Sequence, residues 1–553
     1  MLGLLAAVTI ALAWLVPNHY PPWSSFYNEV CMAVGLLLLV LAVPRVSSRP
    51  GMPGIVWVTA GVIAIPWLQW ALGLLSFSGD AWVSSLYLLG FSLAMATGHA
   101  WARVDVKGLC LLLCCAVLTA SVASAALALA QGFDVGSFGI WAESGETSIR
   151  VAANLGQPNN LATLIGFGVL GLLWLKEEGR LGKVSATFLL LLLMLGAGVI
   201  QSRSGLLYGP LIAVALLIFR RRGVPLQTRP WVAVGATVFY WGLTYSWSAI
   251  QAALLLQDRL SLAVKGVVSS RLQMWPLLVE ALSAVPWTGY GWLQVGEAQM
   301  AAADKHASLN ELWLQAHNLF LELVVWCGYP LGLLLGALIL YWFVSRLVKV
   351  RTLEGAIGMM LVAILGAHSM LELPYHYAYF LIPAGLWIGM VEASIGAKTY
   401  FSPRWAIALA GITGALAIAL CRDYPVVEED FRLMRFENLG LRVPNPAEPA
   451  PDAPLLSGLT EFLRAARTVP VTGMTPAQLS RIEAVIKRYP YAGMMAEYAQ
   501  ALALNQRLDE ALAVYNTLRH IHGEEMYARL KFSLHQQVLD GREEFKKLDQ
   551  SLP

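Results

Sequence analysis

The chain has 553 residues, of which 57% are hydrophobic and only 13% are charged, and its net charge is +3. An ordinary soluble domain has roughly 25% charged residues, so the composition excludes a soluble globular protein and predicts a chain that crosses a bilayer with helices. The six cysteines show neither a disulfide framework nor the spacing of a zinc site.

Thirteen apolar runs, bounded by charged residues, Pro or Gly, predict membrane-spanning helices. A helix needs about 20 residues to cross a ~30 Å hydrocarbon core, and most of the runs approach that length. The first run has no charged residues before it and no small-residue cleavage site after it, so it predicts a retained helix and not a signal peptide. The runs lie near residues 2–16, 28–45, 54–74, 81–101, 108–131, 159–175, 184–200, 204–219, 231–249, 314–345, 355–373, 377–396 and 404–421.

Lys and Arg collect in alternate loops between these runs, and this bias predicts the orientation of the chain. If the N-terminus is cytoplasmic, the short loops on the other side hold only Arg150 and Arg203. An odd number of spans then places the C-terminus in the periplasm. The cytoplasmic loops would carry Arg45, Arg49, Arg103, Lys107, Lys176, Arg180, Lys183, Arg220, Arg221, Arg222, Arg229, Arg346, Lys349, Arg351, Lys398 and Arg404.

Two extramembrane units are predicted beside the spans. Residues 250–313 predict a long periplasmic loop with amphipathic stretches, and residues 422–553 predict a helical periplasmic domain that begins with a Pro-rich linker. Two short antiparallel helices, at 494–504 and 508–515, resemble a tetratricopeptide pair, although a small helical domain without a dedicated partner fits the same residues. The predicted domains are the N-terminal transmembrane helices at 1–150, the transmembrane core with its loop at 151–421, and the C-terminal domain at 422–553.

Unusual polar residues fall on the predicted periplasmic side of this topology. An ionisable group at membrane depth costs a few kcal/mol, so it marks a functional site by default. Arg203 and Arg271 suit a bidentate grip on the oxygens of a pyrophosphate, and the imidazole of His317 can take a proton from a hydroxyl. Taken singly, an arginine in a short loop is more often an interface anchor, and a histidine at a helix start is more often a polar cap. The other members of the set are Gln157, Asn159, Asn160, His368, Glu372, Tyr375, His376 and Tyr377.

Five passages between residues 150 and 380 carry a family resemblance. They are Asn-Leu-Gly-Gln-Pro-Asn-Asn-Leu at 154–161, Gln-Ser-Arg-Ser-Gly at 201–205, 271–275 with Ser-Ala-Val-Pro-Trp-Thr-Gly-Tyr-Gly-Trp at 283–292, Ala-His-Asn-Leu-Phe-Leu-Glu-Leu at 316–323, and His-Ser-Met-Leu-Glu-Leu-Pro-Tyr-His-Tyr-Ala-Tyr-Phe at 368–380. In this order they resemble the O-antigen ligase and polymerase superfamily and, within it, the PglL-type protein O-oligosaccharyltransferases of Gram-negative bacteria. Pro158 stands where some relatives have Arg, which leaves the role of that position open.

The resemblance implies an all-α polytopic membrane protein, similar to the GT-C glycosyltransferases, with about 12–13 transmembrane helices and a C-terminal periplasmic helical domain. It also implies a glycan on undecaprenyl diphosphate as donor, and a Ser or Thr hydroxyl of an exported protein such as a type IV pilin as acceptor, at the bacterial inner membrane. His317 would assist deprotonation of the acceptor, and Arg203 and Arg271 would hold the diphosphate. Gln157 and Tyr377 would position donor or acceptor. No cofactor and no metal are implied.

Two other functions fit the same residues. An O-antigen ligase would join the glycan to lipid A core, and a polymerase would join repeat units; the C-terminal domain and the 374–379 turn favour the protein acceptor. A lipid-linked sugar transporter would use the arginines for binding alone, but it predicts polar residues at mid-membrane and inverted repeats, and neither is clear. The sequence leaves open the glycan, the acceptor, the oligomeric state and which of Tyr375, Tyr377 and Tyr379 contributes.

Overall fold

The computed structural model describes residues 1–17, 19–46, 51–136, 139–142, 150–256, 271–397, 399–400, 403–439, 441 and 450–553. Most of the predicted Pro-rich linker, at 442–449, lies outside these residues. Two of the predicted cytoplasmic cations, Arg49 and Lys398, also lie outside them.

Nearly all regular structure in the described residues is α-helical. The exceptions are short 3-10 helices and a two-residue antiparallel pair, β1 (Met52–Pro53) with β2 (Thr399–Tyr400). The helices are α1 (Leu2–Leu15), α2 (Phe26–Val46), α3 (Gly54–Val62), α4 (Ala64–Ala71), α5 (Ser78–Gly132), α6 (Pro158–Glu177), α7 (Lys183–Ile200), α8 (Tyr208–Arg221), α9 (Pro230–Ala253), α10 (Arg271–Ala281), α11 (Val295–Ala302), α12 (Leu319–Lys349), α13 (Leu353–Ser369), α14 (Ala378–Ser394), α15 (Pro403–Asn438), α16 (Ser457–Ala466), α17 (Pro476–Arg488), α18 (Ala492–Leu504), α19 (Leu508–Leu539) and α20 (Lys546–Ser551).

These helices confirm the prediction of an all-α, multi-pass membrane protein. Seven segments among the described residues are long and apolar enough to cross a membrane, and α1, α13 and α14 are shorter apolar helices. Every predicted span overlaps helical residues, but some bounds were wrong: the span at 54–74 contains two helices, α3 and α4, and α15 continues well beyond 421. The spans at 81–101 and 108–131 are the two halves of α5, which are separated by a non-helical residue, Asp105, in the predicted gap. By contrast, α12 begins at Leu319 and not at 314.

The first of two compact units consists of Met1–Ile63, Leu86–Val267 and Ile339–Ile418. Its central helix is α6, which is almost entirely buried and packs against α7 and α13. α13 also packs against α8 and α14, and α2 packs against α14. Pro158 opens α6 where its missing N–H has no partner to lose, and the Gln157 side chain caps the helix by accepting the N–H of Asn160 at 2.7 Å.

The second unit consists of Ala64–Ser85, Val268–Leu338 and Ala419–Pro553. The predicted antiparallel pair is present as α18 and α19, but α19 extends to Leu539 and bends at Gly523. Gly523 has a φ of +84°, and a Cβ there would overlap the Asn310 side chain. α11 packs against α17 and α19, so the segment around 295–305 and the C-terminal helices form one packed body.

The passage at 283–292 lies against a bend in α12. The N–H of Tyr290 donates to the carbonyl of Val325 at 2.8 Å. Gly289 and Gly328 have φ values of +67° and +72°, and a Cβ on either would lie 2.5 Å from backbone atoms of the other segment. Only glycine allows two backbones to approach so closely in this conformation. Gly289 and Gly328 therefore allow close backbone contact between this passage and α12 within the second unit.

Candidate functional site

Three of the predicted passages meet inside the first unit. The side-chain amide of Asn159 donates to Oε1 of Glu372 at 2.8 Å, and its Oδ1 accepts from the Ser202 hydroxyl at 2.8 Å. All three side chains are buried. Burial of polar groups is tolerated when each finds a hydrogen-bond partner, and Asn159 uses both ends of its amide to satisfy the other two.

A second set of hydrogen bonds lies one turn deeper along α6. The Thr163 hydroxyl lies 2.8 Å from Nδ1 of His368 and 2.7 Å from the Tyr208 hydroxyl, and it donates to the Asn159 carbonyl at 3.1 Å. His368 is fully buried, and its ring packs edge-on against Phe380. Because His368 has no exposed surface in this arrangement, it can influence a substrate only through the residues that it contacts, among them Thr163 on α6 and Phe380 on α14.

The turn before α14 contains the three tyrosines that the sequence could not distinguish. Tyr377 and Tyr379 stack, with ring centroids 5.0 Å apart, and the amide of Asn160 donates to the Tyr379 hydroxyl at 2.9 Å. Tyr375 instead packs against the ring of His376. Tyr379 is buried, whereas Tyr377 retains some exposure. The polar network of α6 therefore includes the Tyr377–Tyr379 pair and leaves Tyr377 as the member that a substrate can reach.

Arg203 lies at the turn between α7 and α8 of the same unit. Its side chain is exposed, although Ser202 and Ser204 on either side are buried and lie 3.0 Å apart through their hydroxyls. The Ser202 hydroxyl also contacts Asn159, so the chain at Arg203 is attached to the α6 network. The first unit thus presents an exposed guanidinium beside a buried set of amides, hydroxyls and one carboxyl group.

His317 belongs to the second unit and lies just outside α12. Its backbone has a φ of +50°, and its ring packs edge-on against Trp313 at 4.9 Å between centroids. Asn318 caps α12, because its Oδ1 accepts the N–H groups of Phe320 and Leu321 at 3.1 Å. The prediction that His317 opens the helix was therefore wrong, since the capping residue follows it. The left-handed conformation directs the chain away from the helix at this residue.

Arg271 is the first residue of α10, also in the second unit. Four residues later, the indole N–H of Trp275 donates to the carbonyl of Ala316 at 2.9 Å. Residues four apart share one face of a helix, so Arg271 lies on the side of α10 that contacts the chain directly before His317. The structure brings these two predicted residues into the same part of the second unit.

The sequence analysis missed several members of the first unit's network. Thr163 could have been identified from helical spacing, because it lies four residues after Asn159. Ser204 could have been identified from its position next to Arg203 in the passage at 201–205. Glu29 was also missed, although it is an acidic residue in the apolar run at 28–45 and the rule applied to other ionisable residues would have selected it. Within the described part of the chain, no group of three or more His, Cys, Asp or Glu is placed to hold a metal ion.

Comparison with known proteins gives three matches. Residues 356–537 match the family described as virulence factor membrane-bound polymerase, C-terminal. The chain is 28% identical over 547 residues to the general O-oligosaccharyltransferase of Acinetobacter baylyi, which covers 95% of this chain and 93% of the relative. It is also 28% identical over 402 residues to the ComP-specific O-oligosaccharyltransferase of the same organism, which covers 69% of each chain.

These matches confirm the resemblance that the five passages indicate. They also confirm the class of enzyme: the chain is a membrane-embedded glycosyltransferase of the oligosaccharyltransferase type. The similarity to the general O-oligosaccharyltransferase extends over nearly the whole of both chains, so it includes the helices of the first unit and the C-terminal helices of the second.

Proposed function

We propose that this protein is an inner-membrane protein O-oligosaccharyltransferase that moves a preassembled glycan en bloc from undecaprenyl diphosphate to a Ser or Thr of a periplasmic or pilin protein. The observation that carries the proposal is the similarity to a general O-oligosaccharyltransferase over 95% of the chain. The exposed Arg203 beside a buried polar network supports it, because a diphosphate donor needs a cation held in a fixed place.

The proposed reaction forms one carbon–oxygen bond and breaks another. The acceptor hydroxyl oxygen attacks the anomeric carbon of the glycan while His317 takes the hydroxyl proton. The bond from that carbon to the diphosphate oxygen breaks, and undecaprenyl diphosphate leaves with the bonding electron pair. Arg203 and Arg271 bind the diphosphate and offset the negative charge that develops on it.

The remaining predicted residues position donor or acceptor at different depths. Tyr377 retains exposure and acts on the substrate directly, whereas Asn159, Glu372 and His368 are buried and act through their hydrogen bonds. The remaining positioning residues are Gln157, Asn160 and Tyr375. A buried, hydrogen-bonded set of this kind keeps the exposed groups in one geometry during the reaction, which lowers the reorganisation that transfer requires.

The proposed orientation follows from the distribution of Lys and Arg. With a cytoplasmic N-terminus, the end of α6 that carries Gln157 and Asn159 faces the periplasm, and the end that carries Lys176 faces the cytoplasm. Residues 1–150 supply N-terminal helices, 151–421 the catalytic core, and 422–553 a periplasmic domain. This orientation supports a donor that has been flipped to the periplasmic leaflet before transfer.

The test is glycan transfer by the full-length purified protein in detergent, with an undecaprenyl diphosphate glycan and a pilin as acceptor. Intact acceptor mass is read for the wild type, His317→Ala and Arg203→Gln. Two residues outside the proposed site give matched controls: the partly exposed His520, as His520→Ala on α19, and the exposed Arg221, as Arg221→Gln at the opposite end of α8 from Arg203. We expect transfer by the wild type and by both controls, and a loss of at least about a hundredfold in the two site variants.

The outcomes distinguish the alternatives. Because detergent removes any membrane to transport across, transfer by the wild type excludes a transporter. The family that residues 356–537 match is described as a polymerase, so the same assay is read for lengthened lipid-linked glycan. Lengthened glycan without glycosylated pilin would replace the proposed function by polymerisation, and full activity of His317→Ala would remove that residue from the mechanism.

A further inference from the structure

Glu29 is a buried acidic residue in the first turn of α2, within the first unit. Its side chain accepts hydrogen bonds from the Ser25 hydroxyl at 2.6 Å and the Trp23 indole N–H at 3.4 Å, both at Oε1. The Tyr87 hydroxyl donates to its other oxygen, Oε2. Three side-chain donors therefore converge on one carboxyl group that is only 7% exposed. A carboxylate accepts at both oxygens, so this donor set matches its chemistry.

The same carboxyl group lies near the start of a different helix. It is close enough to the backbone N–H of Ala378, the first residue of α14, to attract it, and α2 packs against α14. The first N–H groups of a helix have no partner inside it, and the preceding residue, Tyr377, gives no side-chain cap. Glu29 is therefore placed to cap α14 from another helix, where an acidic group also complements the helix dipole.

Ala378 lies between the two stacked tyrosines of the network. Tyr377 precedes it and Tyr379 follows it, and the Asn160 amide holds the Tyr379 hydroxyl from the other side. The start of α14 is thus fixed at two points, by Glu29 through the backbone and by Asn160 through a ring. Removing either contact frees the turn to move both rings.

We propose that Glu29 is a positioning residue for glycan transfer: its carboxyl group fixes the first turn of α14 and so sets the orientation of the Tyr377–Tyr379 pair. This inference rests on the proposed function, in which Tyr377 acts on donor or acceptor. Glu29 does not touch the substrate. Tyr87 acts with it, since its hydroxyl holds the carboxyl group in the orientation that reaches Ala378.

A buried acid at the far end of α6 provides the matched control. Glu177 also accepts several donors, including the N–H of Thr228 at 2.9 Å and the Thr228 hydroxyl, and its side chain is fully buried. With a rise of about 1.5 Å per residue, it lies roughly 27 Å along α6 from Asn159. Glu177→Gln therefore reports the general effect of neutralising a buried carboxyl group in this unit, without a change near the tyrosines.

The first measurement is steady-state glycan transfer by the full chain, with kcat and KM determined for the acceptor. We expect Glu29→Gln to lower kcat/KM by roughly 10- to 100-fold, because a shift of about 1 Å in a positioning group can reduce the rate by that factor. Glu29→Asp keeps a carboxyl group and should regain part of the loss. Tyr87→Phe keeps the ring and removes one donor, so it should lower activity in the same direction, and it serves as the test if Glu29→Gln does not fold. Glu177→Gln should stay within about threefold of the wild type.

The second measurement is backbone hydrogen exchange, which needs no activity. Glu29→Gln or Tyr87→Phe should increase exchange in the 374–380 segment, and Glu177→Gln should increase it near 227–229 instead. Unchanged exchange at 374–380, or an equal loss of transfer in Glu177→Gln, would overturn the positioning role. If the wild type transfers no glycan, the proposed function fails, while the exchange comparison still decides whether Glu29 orders the turn.

Discussion

A buried ion pair in the second unit gives a sharp test of how the C-terminal helices are held. Nε of Arg488, at the end of α17, lies 3.1 and 3.0 Å from the two oxygens of Asp80, and the side chains are 12% and 8% exposed. The guanidinium also lies over the Tyr489 ring at 4.7 Å. Burial alone would lower the pKa of Arg488, but the opposing charge of Asp80 outweighs it, so this pKa lies above its ordinary value.

Asp80→Asn leaves the guanidinium buried without an opposite charge. Removing one partner of such a pair costs about 3–5 kcal/mol, and 3 kcal/mol corresponds to roughly a hundredfold change in an equilibrium constant. In lipid nanodiscs, the backbone amides of α17 should therefore exchange at least about a hundredfold faster than in the wild type. Arg481→Gln is the control on the same helix, because the Arg481–Glu461 contact is 3.6 Å long and the arginine is 62% exposed, so its loss should cost less than about 1 kcal/mol.

A double-mutant cycle compares the paired replacement Asp80→Leu with Arg488→Met against each of its two single variants. Replacing both charges by apolar side chains removes the unpaired charge, so the double variant should be more protected than Asp80→Asn alone. The reasoning is refuted if Asp80→Asn lowers α17 protection by less than about threefold. It is also refuted if the double variant loses as much as the sum of its single changes, since the two side chains would then be independent.

Three further predictions concern other residues. Burial raises the pKa of Glu497 from 4.5 to about 7, so this residue stabilises the fold fully below pH 4.5 and loses that contribution as pH rises through 7. Glu497→Gln should therefore raise thermal stability at pH 8, by at most about 3 kcal/mol, and leave it unchanged at pH 4.5. Thr163→Val should cost about 1–3 kcal/mol by leaving buried polar partners unsatisfied, whereas Thr163→Ser should not, as read by thermal unfolding in detergent. Gly328→Ala should cost at least about 1 kcal/mol through its positive φ alone, and increased exchange at 286–292 would verify the close backbone contact with Gly289.

The helices were predictable because each apolar run is bounded by strong local signals. Pro158 and the Gln157 cap mark the start of α6 within one residue of its prediction. The start of α12 was misplaced because 312–316 is largely apolar, so hydropathy extends into a segment whose backbone is not helical. The break at His317 depends on a left-handed residue and the Asn318 cap, and hydropathy does not register either feature.

The sequence indicated several of the buried polar residues that meet in the first unit, but not how those residues are connected. The passages at 154–161, 201–205 and 368–380 contain many of the polar residues that the first unit brings together, and their density in apolar surroundings was the signal, whereas Thr163 and Tyr208 lie outside them. Which atoms pair could not be predicted, because Asn159 reaches Glu372 and Ser202 from helices far apart in the chain. Glu29 lies outside all five passages, so its link to α14 required the packing of α2 against that helix.

The backbone of the turn that carries the exposed Arg203 is held by hydrogen bonds of its neighbours. Gln201 ends α7 in the left-handed conformation, with a φ of +57°, and its side-chain amide donates to the carbonyls of Gly198 at 2.8 Å and Thr244 at 3.0 Å. Ser202 then joins the turn to Asn159 on α6. An arginine on a flexible loop would lose conformational entropy on binding a diphosphate, and a backbone held on both sides reduces that loss. The buried hydrogen bonds therefore fix the backbone from which the exposed Arg203 side chain extends.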